Sequence, residues 1–257
     1  MARKPSTLAV WGIAVTLLVE GCAGGPAEPS SGAAASHGTL DSASTLRIAR
    51  AARAAGDYAS AINLYREIAA SSHGPAVTAE LGDTLLEAGS IDEAITAYES
   101  VPANSAGSLA AALGLEHAYV MLNELPQAVT FADKAKAIAP DDPRTLIDRG
   151  IALDLSGRHS EAQTSYRALL AKSPANRAAR VDLALSLAFT GNYQEAILII
   201  DPIARSSTAS PRERQDLALI YGLMGDENEA RQLSLIDLDQ SATAANLRFY
   251  DFVRTSP

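Results

Sequence analysis

Side chains able to do chemistry are few in this chain, and they are scattered. The four histidines are His37, His73, His117 and His159. None lies at metal-ligand spacing from another histidine or from a cysteine. Paired carboxylates occur at Asp141-Asp142, Asp92-Glu93 and Asp226-Glu227. Each pair stands where a helix would begin, and acid is favoured there by the helix dipole. No glycine-rich phosphate loop precedes a lysine, and no Gly-x-Ser-x-Gly elbow occurs. The sequence therefore predicts no enzymatic activity, no cofactor and no metal. Cys22 is the single cysteine, so no internal disulfide can form.

The elements that would carry these side chains follow a strict rhythm. Ala61, Ala94, Ala128, Ala162, Ala196 and Ala230 recur at intervals of 33 and then 34 residues. Five residues before each stands Gly56, Gly89, Asn123, Gly157, Gly191 or Gly225, residues that tolerate the left-handed end of a helix. Four residues after each comes Tyr65, Tyr98, Ala132, Tyr166, Ile200 or Ser234, on the same helical face. Upstream of the turns lie pairs such as Leu81-Gly82, Arg149-Gly150, Leu183-Ala184 and Leu217-Ala218. Pro140 and Pro174 close two of the units. These are the parts of a two-helix hairpin: a small residue for close approach, a tight turn and a bulky seal. One hairpin cannot bury its own apolar face, so hairpins stack. Alanine and leucine dominate, and no alternating strand pattern appears.

This pattern resembles the tetratricopeptide repeat (TPR). The resemblance implies an all-α, right-handed TPR solenoid of about six helix-turn-helix units over residues 42–240. In that register the units begin near Asp41 or Ser42, then Pro75, Leu109, Pro143, Arg177 and Pro211. Unit three departs from it with Asn123 and Ala132, and unit six with Ser234. Residues 241–257 form a capping helix and tail, with Leu247, Tyr250 and Val253 on one stripe; a docking peptide is the other reading.

The N-terminus stands apart. Arg3 and Lys4 precede an apolar stretch from Leu8 to Val19, too short to span a bilayer and suited to a secretory signal. Leu18-Val19-Glu20-Gly21-Cys22 resembles a bacterial lipobox, with Glu20 a departure from it. The resemblance implies a signal over residues 1–21, acylation (palmitate among the chains) at Cys22, and a lipid anchor. Ala23 after the cysteine implies sorting to the outer membrane, with the solenoid facing the periplasm. Residues 22–41 are rich in Gly, Pro, Ser and Ala and read as a flexible tether. Without Arg3, Lys4 and Glu20, the remaining chain has 19 basic and 29 acidic residues and no basic run. That makes nucleic acid and anionic headgroups poor partners.

TPR solenoids bind through the first helix of each hairpin, and the resemblance places the fifth, ninth and twelfth positions on that face. Here they include Leu113, His117, Val120, Ile147, Ile151, Val181 and Leu185. This set implies a partner-binding groove for an apolar or amphipathic protein segment. The same residues also suit packing between adjacent first helices. Finally, Asn246-Leu247-Arg248-Phe249-Tyr250 is similar to the ending of TPR lipoproteins of the tight-adherence (Flp) pilus system. That likeness implies a protein-interaction scaffold in pilus assembly, pilotin-like toward the secretin. A TPR lipoprotein scaffold for type IV pilus biogenesis, outer-membrane protein insertion or peptidoglycan-enzyme organisation is the alternative.

Overall fold

The computed structural model describes residues 41–72 and 74–255. The signal, Cys22, His37, the tether up to residue 40 and His73 lie outside the described residues. Among the described residues there are thirteen helices and no strand. Six hairpins follow one another: α1 (Ser42–Ala54) with α2 (Tyr58–Ser72), α3 (Pro75–Glu87) with α4 (Ile91–Glu99), and α5 (Ser108–Met121) with α6 (Leu125–Ile138). Then come α7 (Pro143–Leu155) with α8 (His159–Lys172), α9 (Arg177–Phe189) with α10 (Tyr193–Ala204), and α11 (Pro211–Met224) with α12 (Glu227–Asp237). A last helix, α13 (Gln240–Thr255), closes the stack.

Local chemistry sets the boundaries. Pro75, Pro143 and Pro211 open first helices, where a missing N–H costs nothing. The Asp41, Asp142 and Asn176 side chains accept backbone N–H bonds as caps, and Ser210 with Glu213 forms a capping box. The six turn residues all adopt positive φ, from 59° at Asn123 to 93° at Gly225. Asparagine tolerates that region, so unit three keeps the turn without glycine.

The six rhythmic alanines are all 0% exposed. Successive first helices pack on each other from α3 to α13, and each second helix packs on the first helices that flank it. Consecutive second helices make no contact of that extent. The stack therefore curves with the first helices inside.

The bulky residue four after the alanine seals two first helices at once. Tyr98 lies against Gly82 in its own unit and Gly114 in the next. Tyr166 lies against Gly150 in its own unit. A Cβ on Gly114 would stand 2.1 Å from Tyr98 Cζ. The Tyr98 hydroxyl is pinned by donating to Asp83 at 2.7 Å, so the ring cannot yield cheaply. Gly114→Ala should therefore lower stability by about 1–3 kcal/mol in urea unfolding, overriding the helix-propensity gain. A neutral or stabilising result would show that the ring moves aside.

Ser234 does not leave an open edge. It is fully buried, and Tyr250 of α13 lies against Gly222 of α11 on the same seam. Leu247 and Tyr250 pack with Ala230, so the stripe seen in the sequence is spent on capping rather than held free for a partner.

Candidate functional site on the inner face

The first helices present a mixed surface. Leu113, Val181 and Leu185 are buried, because adjacent first helices close over them. Val120, Ile147 and Ile151 are half-buried, and His117 is the most open of the set at 53% exposure of its side chain. Of the seven residues placed on the groove by sequence, these four offer most of the accessible surface.

Carboxylates that sequence reasoning passed over lie among them. Asp148, Asp182 and Asp216 hold the same position in α7, α9 and α11, one 34-residue repeat apart. Burial pushes Asp182 up to about 7, with Arg212 opposing this and Asp216 and Asp154 reinforcing it. Burial likewise pushes Asp216 up to about 6, against Arg212 and with Glu213. Folded Asp182 thus binds a proton more readily than the unfolded chain does, so stability falls as pH rises from about 4 towards 7. Asp182→Asn should remove that loss. In urea unfolding the variant should exceed the parent by roughly 1–2 kcal/mol at pH 8, allowing for partial solvation, and match it near pH 4. An identical difference at both pH values would refute the assignment.

Toward the N-terminal end the acids are paired. Arg50 clasps Glu80 at 2.8 and 2.5 Å, and Arg53 clasps Glu87 at 3.0 and 2.6 Å. These four residues and Ala54 line a cavity of about 310 Å³.

His117 and its neighbours form a polar cluster between α5 and α7. His117 Nε2 is 3.3 Å from Glu116 Oε2 and 3.4 Å from Asp148 Oδ2. Asp148, then the Glu116 charge, hold the imidazole above its ordinary range against the effect of burial. Burial pushes Glu116 up to about 8.

His159, one of the four scattered histidines, is held in a side-chain network. It opens α8, stacks on Phe189 with ring centroids 5.7 Å apart, and meets Asp154 Oδ1 at 2.8 Å through Nδ1. Ser186 donates to the same oxygen at 2.7 Å, and Tyr166 donates to Asp154 Oδ2 at 3.0 Å. Serine and histidine thus share a carboxylate instead of facing each other, and the serine is fully buried. The arrangement clamps α7, α8 and α9 together; it does not activate a nucleophile.

This geometry is that of a helical-hairpin solenoid with first helices lining its inner face. Tetratricopeptide-repeat family models match residues 52–113 and 147–211, so TPR units are recognised on both sides of unit three. A tetratricopeptide repeat protein from Parabacteroides merdae superposes with a TM-score of 0.68 at 17% identity, covering 82% of this chain and 86% of that one. The MamA protein superposes at 0.54 and 20% identity, covering 66% and 97%. Both likenesses concern the fold alone. An uncharacterized protein, y4yS, of Sinorhizobium fredii is 35% identical over 70 residues, 27% of this chain. That match spans 38% of the relative's length. The TPR fold is typically a non-catalytic scaffold for protein interaction, and no catalytic constellation is seen among the described residues.

Proposed function

We propose that this protein is an outer-membrane, lipid-anchored TPR scaffold that helps assemble a tight-adherence (Flp) pilus, acting like a pilotin on the secretin. The observation that carries the interaction role is the inner face. Half-buried Val120 on α5 and Ile147 and Ile151 on α7 belong to the same row of first helices as the acids Asp148 on α7, Asp182 on α9 and Asp216 on α11. Such a surface suits an amphipathic segment with basic side chains. The lipobox-like Leu18 to Cys22 supports the anchor, and the Asn246 to Tyr250 ending supports the pilus assignment. Lipid on Cys22 would set the location, and the tether would let the solenoid reach its partner.

The test combines two measurements in the native host. Cys22→Ser should abolish acyl labelling and release the protein from the outer membrane. Deleting the gene should deplete secretin multimers and surface pili, with a photo-crosslinker at Ile151 capturing the secretin. Normal multimers and pili in the deletion strain would rule out the pilus role. Acyl labelling that persists without Cys22 would rule out the anchor.

A further inference from the structure

Unit three lacks the bulky residue of the repeat at Ala132, and a position beneath it is changed as well, to Glu116. Tyr98 rests on residues sixteen before and sixteen after it, Gly82 and Gly114; Tyr166 rests on Gly150, sixteen before it. The same count from Ala132 gives Glu116 and Asp148. Glu116 stands where the other units have alanine or glycine, whereas Asp148 holds the acid that recurs at Asp182 and Asp216; only beside Ala132 do two carboxylates share the seam. His117 joins them from the adjoining position in α5.

Three further features point to a ligand. Glu116 is 1% exposed, yet its Oε2 accepts no hydrogen bond. His117 Nε2 lies 3.3 Å from it without making a hydrogen bond, so a cation held between the two would satisfy this buried oxygen. The Glu116, His117 and Asp148 ligand atoms all lie within 4.8 Å of one another. The imidazole nitrogen sits 3.3 and 3.4 Å from the two oxygens. For tetrahedral zinc with bonds near 2.0–2.1 Å, the ligand-to-ligand edge is about 3.3–3.4 Å. One neutral imidazole and two carboxylates also cancel the charge of a divalent ion, which suits a site half in the protein and half on the groove.

We propose that Glu116, His117 and Asp148 form a divalent transition-metal site, taking Zn²⁺ with three protein ligands and one coordination position open to the groove. The ion bridges α5 and α7, and so joins units three and four. Sequence spacing misses it because Asp148 lies 31 residues beyond His117 and reaches it only through stacking.

The test is Zn²⁺ titration of the full-length chain against a chromophoric chelator, with Co²⁺ as a spectroscopic probe and Ca²⁺ as a control for diffuse acidic binding. Cys22 is kept in every variant, so any contribution from it cancels. The parent should bind one equivalent of Zn²⁺ that Ca²⁺ does not displace. It should also give visible Co²⁺ bands typical of four-coordinate nitrogen–oxygen ligation. His117→Ala and Asp148→Asn should each weaken Zn²⁺ binding by at least about tenfold and remove those bands, since even supporting groups around a metal are worth about 10–100-fold. Glu116→Gln should do the same; His117 is exposed enough that its variant keeps the test open if Glu116→Gln fails to fold. Parent affinity unchanged in His117→Ala, or no Zn²⁺ binding by the parent, overturns the proposal.

Discussion

Tyr166→Ala should destabilise the solenoid by about 3–5 kcal/mol, the range for removing a fully buried aromatic ring. Tyr166 is 1% exposed, and its ring fills the hollow over Gly150. Its hydroxyl also satisfies Asp154 Oδ2, a carboxylate that is itself buried. The variant thus opens a cavity and leaves a carboxylate short of a donor. Urea unfolding should show the lower midpoint, and hydrogen exchange should place the loss in α7, α8 and α9 first. Tyr166→Phe keeps the ring and loses only the donor, so about 1–2 kcal/mol is expected. If Tyr166→Ala stays within about 1 kcal/mol of the parent, the rings do not seal the stack.

Tyr250→Ala should be nearly as damaging, by about 3 kcal/mol on the same scale, with its effect confined to the C-terminal end. Tyr250 lies against Gly222 and packs with Leu247 and Ala230. Its removal uncovers the face of α11 and α12 that α13 protects. Nearest-neighbour coupling then loosens unit six while leaving units one and two intact. Exchange protection should vanish in α13 and fall sharply in α11 and α12. Phe249→Ala, at a half-buried site, is the control and should change little. Equal effects of the two variants would mean that α13 is held by its whole length rather than by one ring.

The architecture was legible in the sequence because close helix packing demands small residues at fixed intervals. Ala61 to Ala230 could be counted without coordinates, and so could the turn residues. Asn123 was readable as a substitute for glycine because both tolerate positive φ. What escaped notice depended on contacts between units. Ser234 read only as a departure from the bulky residue of the repeat, whereas it is buried on a seam that a tyrosine from α13 covers. Leu113, Val181 and Leu185 read equally well as groove or packing residues, and the curvature of the stack buries them. Glu116 occupies a slot that is alanine or glycine in every other unit, a signal available beforehand. Its meaning needed the knowledge that Ala132 and Asp148 share its seam.

That seam also divides the interior. One apolar cluster runs from Ala49 to Leu115 and another from Ala128 to Leu233, and Tyr119 is the one residue that packs against both. The recognised repeats fall on either side of the same place. At Ala132 no aromatic ring spans the neighbouring hairpins, so units three and four meet there through small apolar and polar groups. A ligand held between Glu116 and Asp148 would therefore tie α5 to α7 at the one place where the two large apolar clusters part company.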